Sequence, residues 1–321
     1  MAEKIIYLSA VLQNHLWGGN ALAKEYKTET EQPVGEAWVV SGHLNGQSKV
    51  LSGPHKGMNL NDFYLANRNL FNVRNHDRFP LLIKIIDAVK DLSVQVHPDD
   101  QYALAHHNDF GKNECWYILD AVKDAFIIYG LKTTNEEIFQ QAIEKNLWDD
   151  VLQKVIVKKG EFYNVPAGVV HAIGGGIKIL EIQQSSDTTY RLYDYQRRDK
   201  DGNLRPLHIK DALAVIDYEA KLTEQTFLNY GPITRFLTNQ YFTVDKLQSH
   251  KKIKVKQNNS YTILFASGGD ATITVSNQDY FLKAGYAMIV TRLVANFDLS
   301  STGEVFIVKE EALDLKLMYL L

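Results

Sequence analysis

The stretch "GEFYNVPAGVVHAIGGG" (residues 160–176) places a proline, spaced glycines and one histidine, His171, just after the β-branched run "VLQKVIVKKG". Proline fixes φ and glycine reaches backbone conformations closed to other residues, so such a turn aims the following histidine in one direction. Candidates for the same chemistry lie upstream. Side chains alternate faces along a strand, so "SVQVHP" projects Gln95 and His97 to one side. By the same rule "GKNECWYIL" projects Lys112, Glu114 and Trp116 together, with Cys115 opposite. Two imidazoles and a carboxylate are a common ligand set for a divalent metal, and an amide oxygen from Gln95 completes four protein ligands: Gln95, His97, Glu114 and His171. Singly, each has an ordinary reading: a strand histidine as a hydrogen-bonded core or surface group, a lone glutamate as a solvated charge. Their combination with the spacing from Gly160 to His171 points to a metal site.

Such residues need a scaffold of strands. Turn residues punctuate short apolar runs along most of the chain, among them "EAWVVSGH", "FPLLIKIIDA", "CWYILDA", "AFIIYG", "IKILEIQ" and "TYRLYDY". That density of strands implies a sandwich or barrel. Helical spacing is confined to three segments, about 99–110, 134–153 and 207–219, which read as insertions decorating a β core. Beyond residue 225 a second all-β series begins, with Gly or Asn turns and no histidine after His250. The expected organisation is a domain over 1–225 that carries the chemistry and a smaller β domain over 226–321 without a metal site.

The remaining composition excludes several classes of function. A formal charge of −3 from 35 basic and 38 acidic residues offers no basic stripe for nucleic acid. Cys115 is the only cysteine, which leaves no internal disulfide and no multi-cysteine zinc site and fits a reducing compartment. Near the start, "KIIYLSAVLQNHLWGG" has a lysine before a short apolar run but no clear small-residue cleavage site, and it reads as a strand in a cytoplasmic protein. No apolar run approaches the ~18 residues of a spanning helix, so no membrane is expected as a partner.

The spacing from Gly160 through Pro166 and Gly168 to His171 resembles the second motif of the cupin superfamily, whose members are small jelly-roll β-barrels. More specifically, "GEAWVVSGH", "LLIKIIDA", "LSVQVHPDD", "KNECWYIL", "VPAGVVHAIGGG" and "LEIQQSSDTTYRLYDY" resemble, in order over about residues 10–200, the successive motifs of type I mannose-6-phosphate isomerases. The fold implied is mainly β: a cupin-type jelly roll with helical insertions, followed by a second, smaller jelly-roll-like domain. A generic cupin has two histidines and a nearby glutamate in its first motif. Here Gln95 replaces one histidine and a helix-like insertion separates His97 from Glu114, which favours the isomerase family. With little room after residue 200 for the extra helical domain of longer members, the chain resembles the short bacterial form.

The resemblance implies one zinc ion per chain on Gln95, His97, Glu114 and His171, with Lys112, Glu181 and Arg191 in catalytic roles. It implies interconversion of mannose 6-phosphate and fructose 6-phosphate through an enediol, by a monomer or homodimer. Arginine does not deprotonate usefully, which suits Arg191 to developing negative charge or to the phosphate. Lys112 suits phosphate, oxyanion or proton transfer, and the base is open among Glu181, Lys112 and a metal-bound water. Taken alone, Arg191 reads as one surface cation beside Arg197 and Arg198, while "QSSD" is expected to break the strand between Glu181 and Arg191. Lys84 in "LLIKIIDA" either snorkels or lines the cavity, whereas Trp17, Trp38 and His43 read as scaffold. Two rivals differ in kind: a cupin dioxygenase holding Fe(II) on two histidines and a carboxylate, and a sugar-binding cupin without catalysis.

Overall fold

A computed structural model describes residues 3–71, 76–198, 201–222, 226–310 and 314–320. The chain forms two compact units, one from residues 1–11, 38–81 and 225–321 and the other from 12–37 and 82–224. Besides a break at 224/225, the division runs through 11/12, 37/38 and 81/82. Residues 1–11 and 38–81, expected with the N-terminal domain, therefore group with the C-terminal strands. The cause is long-range pairing, which local punctuation does not report: the strand Ile5–Tyr7 pairs antiparallel with Ala287–Val290.

The second unit carries the predicted site. Its five-stranded sheet runs Tyr190–Tyr193, Val94–Val96, His171–Ile173, Phe126–Leu131, Leu152–Ile156. The six-stranded sheet, most of whose residues fall in this unit, runs Val11–Gly19, Val34–Ser41, Leu81–Ala88, Ile177–Gln184, Glu114–Ala121, Phe162–Val165. Strands such as "VGEAWVVS" are buried along their whole length, so they read as continuous apolar runs rather than as alternating ones. One apolar cluster includes Trp17, Ile86, Trp116, Ile127 and Ile173. A second gathers Val94, Phe139, Trp148, Tyr190 and Leu192.

Helices appear where caps and periodicity allow. Asp99 accepts from Tyr102 N at 2.8 Å to start Asp100–His107, and Asn108 ends that helix in the left-handed region at φ 51°. Asn135 accepts from Ile138 N at 3.0 Å ahead of Glu136–Glu144, whose Phe139 and Ala142 are buried. The stretch expected as one helix over 134–153 is divided, because Asn146 turns left-handed at φ 57° before Trp148–Val151. A further helix, Ile209–Val215, follows. Among the described residues, no helix is long and apolar enough to cross a membrane.

The other unit holds a seven-stranded and a five-stranded antiparallel sheet around Leu247, Leu264, Phe297 and Ile307. The helix Leu60–Ala66, absent from the sequence reading, belongs here. Its Phe63 and Tyr64 pack edge-on against Phe71, at ring distances of 5.9 and 5.0 Å. Inside this unit Asp245 accepts from Arg235 at 2.7 Å and from the Tyr319 hydroxyl at 2.6 Å.

Lys309, on the same sheet, is buried with no hydrogen-bond partner for Nζ among the described residues. Burial lowers its ammonium from 10.5 to about 8, with Asp245 opposing and Arg235 reinforcing the drop. The unfolded chain thus holds a proton more tightly than the folded one, so stability rises as pH climbs from about 8 to 10.5. Below that window the full penalty, of order 3 kcal/mol, burdens the folded state. Lys309→Met is expected to stabilise the protein by ~2 kcal/mol or more at pH 7, and by much less at pH 10.5. Urea unfolding of both proteins at the two pH values measures this, and an equal difference at both would refute the assignment.

Candidate metal centre

Strand register sets out the site before any side chain is considered. Gln95 is the cross-strand partner of both Arg191 and His171. Paired residues in an antiparallel sheet point to the same face, so Arg191, Gln95 and His171 form one row. On the six-stranded sheet Glu181 pairs with Trp116, and Gln183 with Glu114, which puts Glu114, Trp116 and Glu181 on one face. The Trp116 and His171 rings meet edge to face at 5.3 Å, so the two rows look at each other inside this unit.

The Pro166–Gly168 turn closes the arrangement. Gly168 lies at φ 87°, and a Cβ there would meet the Asp217 Cβ at 3.0 Å and the Val215 oxygen at 3.1 Å. Its N–H donates to the His97 carbonyl at 2.9 Å, which ties the loop that delivers His171 to the loop that delivers His97. Each imidazole is fixed by the main chain. His97 Nδ1 donates to Thr188 O at 3.0 Å and His171 Nδ1 to Val169 O at 2.9 Å, leaving both Nε2 atoms as unprotonated acceptors. Burial holds both rings neutral, His97 well below its ordinary value and His171 at about 3.

Glu114 lies between them, its Oε2 3.6 Å from His97 Nε2 and its Oε1 3.5 Å from His171 Nε2. Ligand atoms of His97, Glu114 and His171 all lie within 4.8 Å of one another, and all three residues are buried. Glu114 Oε1 has no hydrogen-bond donor among the described residues. Burial, then the nearby Glu181, pushes the Glu114 carboxyl up to about 7, against the pull of Lys112 and Lys84. A buried carboxylate oxygen without a donor, facing two imidazole lone pairs, is the donor set of a divalent cation. Gln95 reaches this group through its amide, Nε2 at 3.3 Å from His171 Nε2. A half-turn of that amide presents Oε1 instead, the atom a metal would use. Lys112 Nζ is 3.0 Å from His97 Nε2 and 2.5 Å from Glu114 Oε2, so the lysine shares two acceptors with any cation held there.

A cavity of about 280 Å³ opens beside these groups, lined by Gln95, Lys112, Glu181 and Arg191 among others. All three residues expected in catalytic roles therefore border one space. As the sequence suggested, residues 185–189 break the strand between Glu181 and Arg191, yet the two return to this cavity from different sheets. Glu181 is buried: Oε2 accepts from Trp116 Nε1 at 3.1 Å, and Oε1 lies 3.3 Å from Lys84 Nζ. Lys84 also lines the cavity and does not snorkel to solvent, since its side chain is 4% exposed and Glu36 Oε2 is 3.5 Å away. Burial alone would lower the Lys84 ammonium, but Glu36, Glu181 and Asp187 reverse this and hold it well above the ordinary lysine value.

Several lining residues escaped the sequence reading. Glu36 has the same signal as Lys84, a charge inside an otherwise apolar strand. His15 Nε2 lies 3.4 Å from Glu36 Oε1, and the His15 ring stacks on Trp17 at 4.6 Å. Trp17, read as scaffold, does belong to the apolar core, but it also forms part of the cavity wall. Arg205 lies in a segment of irregular backbone and had no signal.

The model of the phosphomannose isomerase type I catalytic domain matches residues 5–127, and that of the mannose-6-phosphate isomerase cupin domain matches residues 232–310. Mannose-6-phosphate isomerase ManA of Bacillus subtilis (strain 168) is 41% identical over 310 residues, covering 95% of this chain and 98% of that one. A crystal structure of the mannose 6-phosphate isomerase from Bacillus subtilis aligns with a TM-score of 0.90 at 32% identity, over 96% of this chain and 100% of that one. A mannose 6-phosphate isomerase bound with zinc and yttrium shares the fold, with a TM-score of 0.78 at 17% identity over 97% and 100% of the two chains.

Proposed function

Because the chain belongs to the type I phosphomannose isomerases, we propose that Gln95, His97, Glu114 and His171 hold a catalytic zinc ion, and that Glu181, Lys112 and Arg191 carry the proton and charge. The protein is a mainly β, cupin-containing aldose-ketose isomerase that interconverts mannose 6-phosphate and fructose 6-phosphate. The observation that carries the metal assignment is Glu114 Oε1, buried without a donor opposite two fixed imidazole lone pairs. Zinc in particular is supported by the ligand types and by the zinc-bound isomerase of the same fold.

When bound, the ion supplies Lewis-acid polarisation of a substrate oxygen. Glu181 takes the C2 proton of the aldose and returns it to C1. Lys84 and the Trp116 indole hold its carboxylate in place, and the raised Lys84 keeps a positive charge beside it. Lys112, whose Nζ lies between Glu114 and His97, serves proton movement at a substrate oxygen. Arg191 remains a cation at any working pH and faces the negative charge that develops on the enediol. Its row position beside Gln95 puts it next to the metal ligands. A phosphorylated sugar as substrate and the single free cysteine support a cytoplasmic setting.

Purified protein is expected to convert mannose 6-phosphate to fructose 6-phosphate with about one zinc per chain by elemental analysis. Stripping the metal with a chelator should abolish turnover, and Zn²⁺ should restore both occupancy and rate without any need for O₂. Turnover that survives complete removal of the metal would overturn the proposal. Oxygen consumption would favour the dioxygenase reading.

A further inference from the structure

The cavity holds a second guanidinium to which no part of the chemistry above is assigned. We infer that Arg205 recognises the substrate's phosphoryl group, resting on the isomerase reading, and that Asp194 is the positioning residue that fixes it. The cavity is electrically divided. Glu36 and Glu181 flank Lys84 in one part, while Arg191 and Arg205 line another. Asp187 also lines it, but its charge acts on Lys84.

Asp194 is buried, 4% exposed, and it grips Arg205 through two parallel bonds: Nε to Oδ2 at 2.7 Å and Nη2 to Oδ1 at 2.5 Å. Arg197 donates to the same carboxylate and to the Asp91 carbonyl. Arg197 and Arg205 thus share the one Asp194 carboxylate, while Arg191 donates to the Pro206 carbonyl, so positive charge exceeds negative around Asp194. A phosphate monoester, carrying close to two negative charges at neutral pH, matches that excess.

The backbone locks the pair of arginines together. His208 N donates to Arg191 O at 2.8 Å, Arg191 N donates to His208 Nδ1 at 3.1 Å, and Arg191 Nη1 donates to Pro206 O at 2.8 Å. Arg205 is therefore held at a set place relative to the strand that carries Arg191, and its fork is oriented before any substrate arrives. Asp194 occupies the Nε and Nη2 edge and leaves Nη1 outside the fork. Such preorganisation is what anion recognition requires.

Steady-state kinetics on mannose 6-phosphate, with inorganic phosphate as competitive inhibitor, test this in the metal-loaded enzyme. Arg205→Met is expected to raise KM and the phosphate inhibition constant together by ~10–100-fold, as for loss of a charge-assisted bond, with kcat within about threefold of wild type and metal content unchanged. Asp194→Asn should raise both by a smaller factor, and Arg205→Lys should fall between wild type and Arg205→Met. Unchanged KM and phosphate inhibition in Arg205→Met would overturn the proposal, as would a fall in kcat alone. Should Arg205→Met fail to fold, Arg205→Lys decides, since it keeps the charge and loses the fork; an unchanged KM there refutes the assignment. If wild type itself fails to turn over mannose 6-phosphate, the isomerase reading fails. Calorimetric titration of wild type and Arg205→Met with inorganic phosphate then still decides whether the subsite exists.

Discussion

His171→Ala is expected to lose its bound metal on dialysis and to lose turnover by at least ~10³-fold, more than the ~10–100-fold that follows removal of a supporting hydrogen bond alone. The reason lies in the small number of candidate ligands and in their burial. His171 is 1% exposed, and its Nε2 is one of two imidazole acceptors that face Glu114 among the described residues. Removing it leaves Glu114 Oε1 with neither a metal nor a donor. Elemental analysis and circular dichroism on the same preparation separate metal loss from unfolding. His97→Ala and Glu114→Ala should behave alike, whereas Gln95→Ala should weaken binding less, because a neutral amide contributes less than an imidazole or a carboxylate. Full metal occupancy in folded His171→Ala would remove the basis for this centre.

Glu181→Gln is the second large effect: kcat is expected to fall by ~10²–10⁴-fold with metal content unchanged, the range for loss of a general base. The amide keeps the shape of the side chain and its reach to Trp116 Nε1, but it cannot accept a proton. Isotope transfer reports the same step independently. An enediol path hands the C2 proton to a base that exchanges with water, so wild-type turnover in D₂O should place some deuterium at C1 of fructose 6-phosphate. The burial of Glu181 slows that exchange, and partial labelling is the expected result. Glu181→Gln should lose exchange along with turnover. Near-normal kcat in this variant would transfer the role of base to another group. Absence of solvent deuterium after many wild-type turnovers, with full retention of a C2 label, would indicate a hydride shift and no base at all.

The cluster of His97, Glu114 and His171, with Gln95 beside it, was legible in the sequence because each residue sits in a short segment whose geometry is local. Strand alternation placed Gln95 and Lys112–Glu114, and the Pro-Gly turn singled out His171. The resemblance to one family supplied Glu181 and Arg191, which alternation alone did not connect. What escaped depends on pairing across long stretches of chain. Glu36 reaches Lys84 only through the order of strands in a sheet. Arg205 reaches the cavity on a segment whose residues 206 and 208 bond back to Arg191, and Asp194 holds its side chain. The interleaved units follow from Ile5–Tyr7 pairing with Ala287–Val290, a partnership that no local signal announces.

The main-chain acceptors of His97 and His171 have an evolutionary consequence. A side-chain acceptor is lost by a single codon change, but the carbonyl oxygens of Thr188 and Val169 persist whatever residue is encoded there. The tautomer that bares each Nε2 is thus inherited with the path of the backbone rather than with the identity of a neighbour. Sequence drift around the centre is buffered: lineages can diverge at 169 and 188 while the two imidazoles go on presenting the same nitrogen.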